Sequence, residues 1–404
     1  MKPLHKTIPY GRQCIDSSDI REVIKTLKSD FITQGSRIRE FESAVCQYVG
    51  AKYAVAVSSG TAALHLSSLA LGIEKNSKVI TSPITFVASA NCILYSGGHP
   101  IFIDVSSETI NLDPAQVESY LEKKNKIKKY VQGMITVDFA GQPASPEKFH
   151  KIAKKFGLFV LEDASHAFGA KYLTKAGKSE HWIRVGSCAH SDLTVFSFHP
   201  VKHITTGEGG MVTTNNSDLY QKILELRNHG IVKPKGVRNS KKLGSWYYEM
   251  RNLGFNYRMT DFQAALGISQ LKKIDRFISR RREIASQYIR FFKNIPGIQL
   301  VDETENCRSV YHLFILRFKK NGFRIGKAEI FNFLRKKGLL VQVHYIPVYR
   351  QPYYQKLGFV KSQCPKAEAY YEEAISIPIY PSMTDRDINY VTSVIQLLCD
   401  RYAI

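Results

Sequence analysis

A single lysine follows a β-rich run and precedes a turn that contains three glycines. Lys202 lies in TVFSFHPVKHITTGEGGMVTT, with Gly207, Gly209 and Gly210 after it. A lysine in a tight turn at a strand end can be partly desolvated, which lowers its pKa and makes the amine a nucleophile able to form a Schiff base. A solvated loop lysine is the alternative, so the motif needs support from others.

A carboxylate ends an apolar run. Asp163 lies in LFVLEDASHAFGA, and a carboxylate at the end of a buried strand needs a partner to offset its desolvation. A pyridinium nitrogen is such a partner, because the carboxylate keeps the ring protonated and able to accept electrons. A helix N-cap role for Asp163 explains this motif equally well.

The segment VAVSSGTAALHL, residues 55–66, passes from a strand into a helix through Ser58, Ser59, Gly60 and Thr61. Backbone N–H groups at such a helix start, together with the hydroxyls, form an anion site suited to a phosphate. The spacings GxGxxG and GxxxxGK[ST] are missing, which excludes a dinucleotide-binding loop and a nucleotide-hydrolysing loop. Plain helix capping by Ser or Thr is the alternative.

The elements around these residues predict a parallel sheet. From about residue 50 to 215, short β-rich runs alternate with helical patterns, beginning with YAVAVS and TAALHLSSLALG and ending with LFVLEDA, TVFSFHP and GGMVTT. Such alternation is typical of a largely parallel sheet with helices on both faces, in which active sites lie at the carboxyl ends of the strands. The residues directly after each strand are therefore the candidates for chemistry.

After residue 218 the pattern changes to longer helical stretches. TDFQAALGISQLKKIDRFISRRREIASQYIRFF, residues 260–292, reads as helical, and the strand-like runs VYHLFILRF and LLVQVHYIPV flank the helical AEIFNFLRKKG. Because a chain of 404 residues exceeds a single core, we expect two domains. We place a large α/β domain with an N-terminal arm at residues 1–255 and a smaller α+β domain at 256–404.

Composition narrows the class of protein. Apolar residues make up 44% of the chain and the net charge is +22, which could attract nucleic acid. The densest basic runs, KKNKIKK at 123–129 and KPKGVRNSKK at 233–242, read as a helix end and a loop and lack interleaved aromatic residues. We therefore expect anionic small molecules as partners, and no nucleic acid.

Membrane and metal sites are not expected. The N-terminus MKPLHKTIPYGRQCID has no apolar segment of the signal-peptide kind, and no uncharged apolar run reaches about 20 residues. Seven cysteines occur without a CxxC pair, so neither a disulfide framework nor a zinc site is indicated. We predict a cytoplasmic protein without a metal.

Six motifs in this order resemble the sugar-aminotransferase family of fold-type I pyridoxal-phosphate enzymes, over essentially the whole chain. The motifs are SSGTAALHL, SPITFVASANCI, VDFAGQP, LEDASHAFGA, FSFHPVKHITTGEGG and LGFNYRMTDFQAALGISQL. The resemblance implies a large domain with a mostly parallel seven-stranded sheet between helices, and a smaller C-terminal α+β domain. Lys202 would form the Schiff base and Asp163 would contact the pyridine nitrogen. The other cofactor-binding residues implied are Ser59, Gly60, Thr61 and Ser197 at the phosphate, Phe86 against the ring, His166 at the ring hydroxyl or the Asp163 carboxylate, and Asn256 from the neighbouring subunit of a homodimer.

Within this family, the segments GSCAHSDLTVFSFHPVKHITTGEGG, ITQG and VHYIPVY are most similar to members of pseudaminic acid biosynthesis, which aminate the C4 ketone of a UDP-linked 2-acetamido-2,6-dideoxy-hexos-4-ulose. Another nucleotide-linked 4-keto-6-deoxy sugar is the alternative. Substrate-binding residues implied by the resemblance are Tyr10, Thr33, Ser59, His344, Tyr345 and Tyr354. The chain departs from many relatives between Leu173 and His190, where the loop is longer, which leaves the geometry ahead of Ser197 open.

The resemblance implies a two-stage exchange in which L-glutamate gives its amino group to the cofactor and the cofactor passes it to the sugar ketone, with Lys202 moving the proton. A dehydratase on the same fold is a rival, but those relatives carry histidine at the position of Lys202. A non-catalytic regulator that retains the fold is a second rival, and the presence of both Lys202 and Asp163 argues against it. In isolation, Phe86 reads as a core residue and Asn256 as a turn residue.

Overall fold

The computed structural model describes residues 7–123, 131–176, 179–233, 244, 246–360 and 364–404. Most of the two basic runs, at 124–130 and 234–243, lies outside these residues, so the loops predicted there are not described. Lys123 ends the helix Pro114–Lys123, as the sequence pattern predicts.

A seven-stranded sheet forms the centre of the molecule, and we number its strands β1 to β7 in chain order. They are β1 (Tyr53–Val57), β2 (Lys78–Thr81), β3 (His99–Phe102), β4 (Val131–Val137), β5 (Phe159–Asp163), β6 (Leu193–Ser197) and β7 (Gly210–Thr214). Their order across the sheet is β1-β7-β6-β5-β4-β2-β3. Neighbouring strands are parallel except where β7 pairs with β1 and β6. The predicted α/β fold with a mostly parallel seven-stranded sheet is confirmed.

Helices cover both faces of this sheet and build most of the C-terminal part. The α-helices are Ser17–Leu27, Ser36–Val49, Gly60–Ala70, Ala88–Tyr95, Pro114–Lys123, Pro146–Phe156, Ser217–Arg227, Asp261–Leu271, Ile274–Phe292, Lys327–Lys336, Pro352–Lys356, Pro365–Glu373 and Asp385–Tyr402. Short 3-10 helices span Phe139–Gly141, Lys320–Gly322 and Val348–Arg350. Within the described residues, no helix combines the length and apolar character needed to cross a membrane.

Alternation along the strands explains why both faces of the sheet are covered. In β1, Ala54 and Ala56 belong to one buried cluster, whereas Val55 and Val57 belong to another. Side chains of a strand point alternately to opposite faces, and parallel strands buried on both faces are apolar along their length. The first cluster receives Phe41 from the helix Ser36–Val49, and the helix Gly60–Ala70 packs into the second.

The C-terminal part contains its own antiparallel sheet, formed by Ile298–Leu300, Phe314–Phe318 and Ala374–Ile377. Its core runs from Ile284 to Cys399 and also includes Ile8. The predicted boundary after residue 255 stays a prediction. Met259, Ala264 and Ile274, although they follow that residue, pack in a cluster with the central sheet.

Two predicted elements differ in extent from the structure. The stretch 260–292 is two helices, Asp261–Leu271 and Ile274–Phe292, because the backbone of Lys273, with φ of −111°, departs from helical geometry. The Lys273 ammonium pairs with Asp16 and Asp19 at 3.0 and 2.6 Å. The strand-like LLVQVHYIPV forms regular strand only at Leu339–Leu340, which pairs with Ile8–Pro9. Beyond these two residues, Gln342 forms a single bridge with Ser376, which does not extend into a ladder.

The long segment between Leu173 and His190 contains most of a hairpin. Strands Lys171–Ala176 and Ser179–Arg184 pair in antiparallel fashion, and Cys307–Arg308 pairs with the first of them. A hydrogen bond from the Val185 N–H to the Ala170 carbonyl, at 3.0 Å, closes the base of this hairpin. The hairpin ends before β6 begins, and Ser197 ends a regular strand.

Candidate active site

One cavity of about 560 Å³ lies at the edge of the sheet where β1, β5 and β6 end and the antiparallel β7 begins. All but three of the predicted site residues line it. Those in its wall are Tyr10, Ser59, Gly60, Thr61, Phe86, Asp163, His166, Ser197, Lys202, His344 and Tyr345. These residues converge because the carboxyl ends of parallel strands lie at the same edge of the sheet, as the sequence predicts.

Lys202 occupies a loop whose two ends are paired with each other. The loop leaves β6 at Ser197 and returns at Gly210, and these two residues are partners in the sheet. The Phe198 N–H donates to the Gly209 carbonyl at 2.9 Å. Burial lowers the pKa of the Lys202 amine from 10.5 to about 8, although the Asp163 carboxylate acts in the opposite direction. An amine with this pKa is uncharged often enough at neutral pH to act as a nucleophile.

Asp163 is buried at the end of β5, with 5% of its surface exposed, and its carboxylate is held on both oxygens. The Ser89 hydroxyl donates to Oδ2 at 2.5 Å and the Ser165 N–H donates to Oδ1 at 3.1 Å. Ser89 in turn lies 2.7 Å from the hydroxyl of Thr85. These contacts fix the direction in which the carboxylate faces the cavity, where a cationic ring nitrogen would offset its desolvation.

The start of the helix Gly60–Ala70 forms an anion site against the end of β6. Ser59 is the N-cap, and its hydroxyl accepts from the Ala62 N–H at 3.0 Å. The N–H groups of Gly60 and Thr61 precede the first intrahelical bonds, so they remain available to an anion at the positive end of the helix. A Cβ at Gly60 would lie 2.9 Å from the Ser197 Cβ, so only glycine permits this close approach.

Three rings face one another across the cavity wall. Phe86 is 56% exposed, and its ring lies 6.2 Å from that of Tyr345. The Tyr345 hydroxyl is 3.1 Å from His166 Nε2. Burial, and then the Lys202 charge, hold the pKa of His166 well below its usual range, and burial raises the pKa of Tyr345. Both side chains are therefore neutral polar groups beside the lysine.

Tyr10 and His344 close the cavity on the side of the C-terminal part. Their rings are 5.1 Å apart. His344 Nδ1 lies 2.8 Å from the Ser376 hydroxyl, and burial together with Lys202 lowers the pKa of His344 to about 3. Both residues can thus offer neutral hydrogen-bonding groups to a substrate.

The three remaining predicted residues lie elsewhere. Thr33 is exposed and forms an isolated bridge with Thr260. Asn256 is also exposed and bridges to Asn228. Tyr354 is buried and donates to Asn91 Oδ1 at 2.8 Å, in the wall of a neighbouring groove. Their predicted contacts with cofactor or substrate stay predictions.

Sequence reasoning missed Ser89, which donates to Asp163, and two residues of the wall itself, His312 and Gln342. Ser89 had a signal, since it lies in the motif SPITFVASANCI three residues after Phe86. His312 lies within a strand-like apolar run, and Gln342 follows the short strand Leu339–Leu340. Nothing in their local sequence distinguishes either from an ordinary strand residue.

Comparison with known proteins agrees with this geometry. The profile of the DegT/DnrJ/EryC1/StrS aminotransferase family matches residues 13–396. The UDP-4-amino-4,6-dideoxy-N-acetyl-beta-L-altrosamine transaminase of Campylobacter jejuni is 40% identical over 386 residues, which covers 95% of each chain. The chain therefore belongs to the DegT/DnrJ/EryC1/StrS aminotransferase family, and it is an aminotransferase.

Solved structures share the whole fold. Helicobacter pylori PseC, described as an aminotransferase involved in the biosynthesis of pseudoaminic acid, superimposes with a TM-score of 0.86 at 32% identity, over 98% of this chain and 100% of that one. The PLP form of the putative sugar aminotransferase Spr1654 from Streptococcus pneumoniae gives 0.85 at 27% identity, over 98% and 99%. The fold-type I architecture is thereby confirmed.

Proposed function

We propose that this aminotransferase uses pyridoxal 5'-phosphate to transfer an amino group from L-glutamate to the C4 ketone of a UDP-linked 2-acetamido-2,6-dideoxy-hexos-4-ulose. The observation that carries the proposal is the meeting, in one cavity, of the low-pKa amine of Lys202, the oriented carboxylate of Asp163 and the anion site at Gly60. The similarity to transaminases of this substrate class supports the choice of sugar.

The cavity wall has the groups that pyridoxal phosphate requires. Gly60, Thr61 and Ser197 would hold the phosphate, Phe86 would cover one face of the ring, and Asp163 would contact the ring nitrogen. When bound, the cofactor supplies a protonated ring that stabilises negative charge on the carbon losing its proton. His166, neutral and beside Tyr345, is placed to donate to or accept from the ring hydroxyl.

Lys202 would then serve as the base and the acid of the exchange. Its amine, with a pKa near 8, can accept a proton from the donor's carbon and return one, because a group titrating near the working pH is efficient in both directions. The paired ends of its loop fix where the loop leaves the sheet and where it returns. Tyr10, His344 and Tyr345 present neutral hydrogen-bonding groups that suit the sugar.

The described wall of the cavity contains no arginine, although a diphosphate and an amino-acid carboxylate both favour guanidinium partners. We infer that each site is completed by the second subunit of a homodimer. Exposed Asn256, two residues before Arg258 in the sequence, would approach the cofactor phosphate of the partner. Symmetric dimers are the commonest oligomers.

The test is an assay of purified protein with L-glutamate against a panel of UDP- and TDP-linked 4-keto-6-deoxy sugars, with Lys202→Ala as the control. We expect amination of the UDP-linked 2-acetamido sugar at the highest kcat/KM, and none with the control. A TDP-linked sugar as the best substrate would favour the alternative nucleotide-sugar substrate. No amination of any sugar, with cofactor bound, would favour the non-catalytic regulator.

A further inference from the structure

A buried arginine lies behind the cavity without a carboxylate. Arg281, on the helix Ile274–Phe292, is 1% exposed. Its Nη1 donates to three backbone carbonyls, those of Tyr311, His312 and Ile379, at 3.1, 3.3 and 3.0 Å. Among the described residues it forms no ion pair, and its Nε has no hydrogen-bond partner. Burial lowers the pKa of Arg281 to about 10, so it remains charged at neutral pH.

Burial of this cation carries a desolvation cost that no carboxylate of the described residues offsets. A buried cation loses its hydration, and apolar side chains of similar size often stabilise a core better than buried charges do. The other buried arginine of this part, Arg317, differs because its guanidinium binds Glu373 at 2.8 Å. The role of Arg281 is therefore sought in the three carbonyls that it binds.

Arg281 holds a turn whose backbone is strained. Tyr311 has a backbone φ of 45°, a value that residues other than glycine rarely adopt. The turn interlocks with the one after β4: the Val310 N–H donates to the Gly141 carbonyl at 3.0 Å, and a Cβ at Gly141 would meet the His312 nitrogen at 2.9 Å. Two of the three carbonyls bound by Arg281 belong to Tyr311 and His312.

The turn carries His312 into the cavity wall. The His312 ring lies 4.3 Å from the His166 ring, at 38° to it. His166 is in turn 3.1 Å from the Tyr345 hydroxyl through Nε2. Consecutive contacts therefore connect Arg281 to His312, His312 to His166, and His166 to Tyr345. The last three residues line the cavity that would hold the cofactor.

We propose that Arg281 is a positioning residue of this aminotransferase, which fixes the backbone of Tyr311 and His312 so that the His312 ring holds His166 in its cofactor-facing orientation. The proposal rests on the proposed function for the identity of the bound cofactor. Without Arg281, the His312 turn relaxes, His166 gains freedom to rotate, and its hydrogen bond with Tyr345 is weakened.

The experiment compares five holoenzymes with the wild type: Arg281→Met, Arg281→Lys, His312→Asn, the double variant Arg281→Met/His312→Asn, and Arg317→Met as the matched control. The measurements are the dissociation constant of pyridoxal phosphate from the apoprotein, the absorbance maximum of the bound cofactor, kcat and KM, and the thermal midpoint. Arg317 is also buried, with 6% of its surface exposed, but it binds Glu373 and the Ser107 carbonyl and does not line the cavity.

We expect Arg281→Met to shift the absorbance maximum and to lower kcat by about 10- to 100-fold, the size of effect that a small misplacement of site groups produces. Arg281→Lys should recover part of both, because lysine keeps the charge and can reach a carbonyl. The double variant should be no more impaired than the more severe single variant, because the effects of mutating residues that contact each other and act in series do not add. Arg317→Met should lower only the thermal midpoint.

Additive losses in the double variant would overturn the proposal, as would an Arg281→Met protein that loses thermal stability while its absorbance, cofactor affinity and kcat stay at wild-type values. If Arg281→Met does not fold, His312→Asn decides, and an unchanged absorbance maximum in that variant overturns the proposal. A wild type that binds pyridoxal phosphate but aminates no sugar would refute the proposed function alone, because absorbance and cofactor affinity would still test Arg281.

Discussion

The fraction of Lys202 amine that is uncharged at neutral pH can be calculated from its lowered pKa. Burial lowers its pKa from 10.5 to about 8, so at pH 7 roughly one amine in ten is uncharged, against roughly one in 3000 for an ordinary lysine. The available nucleophile is thus enriched about 300-fold. Apoprotein treated with pyridoxal phosphate and then borohydride at pH 7 should carry the reduced label on Lys202.

Lys327 provides an internal control within the same chain. Burial lowers its pKa to about 8 as well, so its amine is as available as that of Lys202. Its surroundings differ: the ammonium lies 4.0 Å from the centre of the Tyr371 ring and donates to the Tyr371 carbonyl. If the anion site at Gly60 captures the phosphate of the reagent, Lys202 should be labelled far more than Lys327.

The assay is peptide mapping by mass spectrometry after reduction, with pyridoxal phosphate and with pyridoxal, which lacks the phosphate. We expect the preference for Lys202 over Lys327 to be strong with the first reagent and much weaker with the second. Equal labelling of both lysines by pyridoxal phosphate would refute the assignment of the anion site. Label on other lysines in preference to Lys202 would remove it from the mechanism.

Three further predictions concern Asp163, Asn256 and the buried Glu162, which does not line the cavity. Asp163→Asn removes the negative charge that raises the Lys202 pKa, so the pH of half-maximal labelling should fall while turnover drops by orders of magnitude; near-normal rates would contradict the role of Asp163. Refolding Lys202→Ala together with Asn256→Ala should restore activity, because mixed dimers contain one site without either defect, and inactive mixed dimers would exclude shared sites. Burial raises the pKa of Glu162 from 4.5 to about 7, so its stabilising contribution is complete below pH 4.5 and is lost as the pH rises through 7. Glu162→Gln should therefore gain thermal stability relative to wild type between pH 5 and pH 8, and a pH-independent difference would count against it.

The cavity could be predicted from the sequence where its residues directly follow strands. Asp163, Ser197 and Gly60 each come after a β-rich run, and the parallel arrangement of such runs brings their ends together. For these residues, the local sequence pattern locates the strand ends, and the sheet topology brings those ends to one edge. The helical and strand alternation up to residue 215 was sufficient for this part of the fold.

Contacts that depend on packing between distant segments could not be predicted. His312 and Arg281 both lie in regular apolar or helical patterns, and only the tertiary structure shows that one holds the turn of the other. The hairpin Lys171–Arg184 has a polar sequence typical of a loop, and its first strand is stabilised by pairing with Cys307–Arg308 from the other half of the chain. The helix break at Lys273 has no glycine or proline to mark it, and the lysine pairs there with Asp16 and Asp19 from the N-terminal part of the chain.

The reversed direction of β7 has a consequence for how this chain can change in evolution. In a parallel sheet, the segment between two strands must cross the whole layer, so its length affects the position of what it carries. The lysine loop instead leaves and re-enters the sheet at one edge, through the paired residues Ser197 and Gly210. Segments added before β6, where the hairpin Lys171–Arg184 lies, or after β7 would therefore leave the spacing between Ser197 and Lys202 unchanged. Changes in the length of the chain outside the loop therefore do not alter the number of residues between Ser197 and Lys202. Surface segments can be added there without a change in the lysine loop.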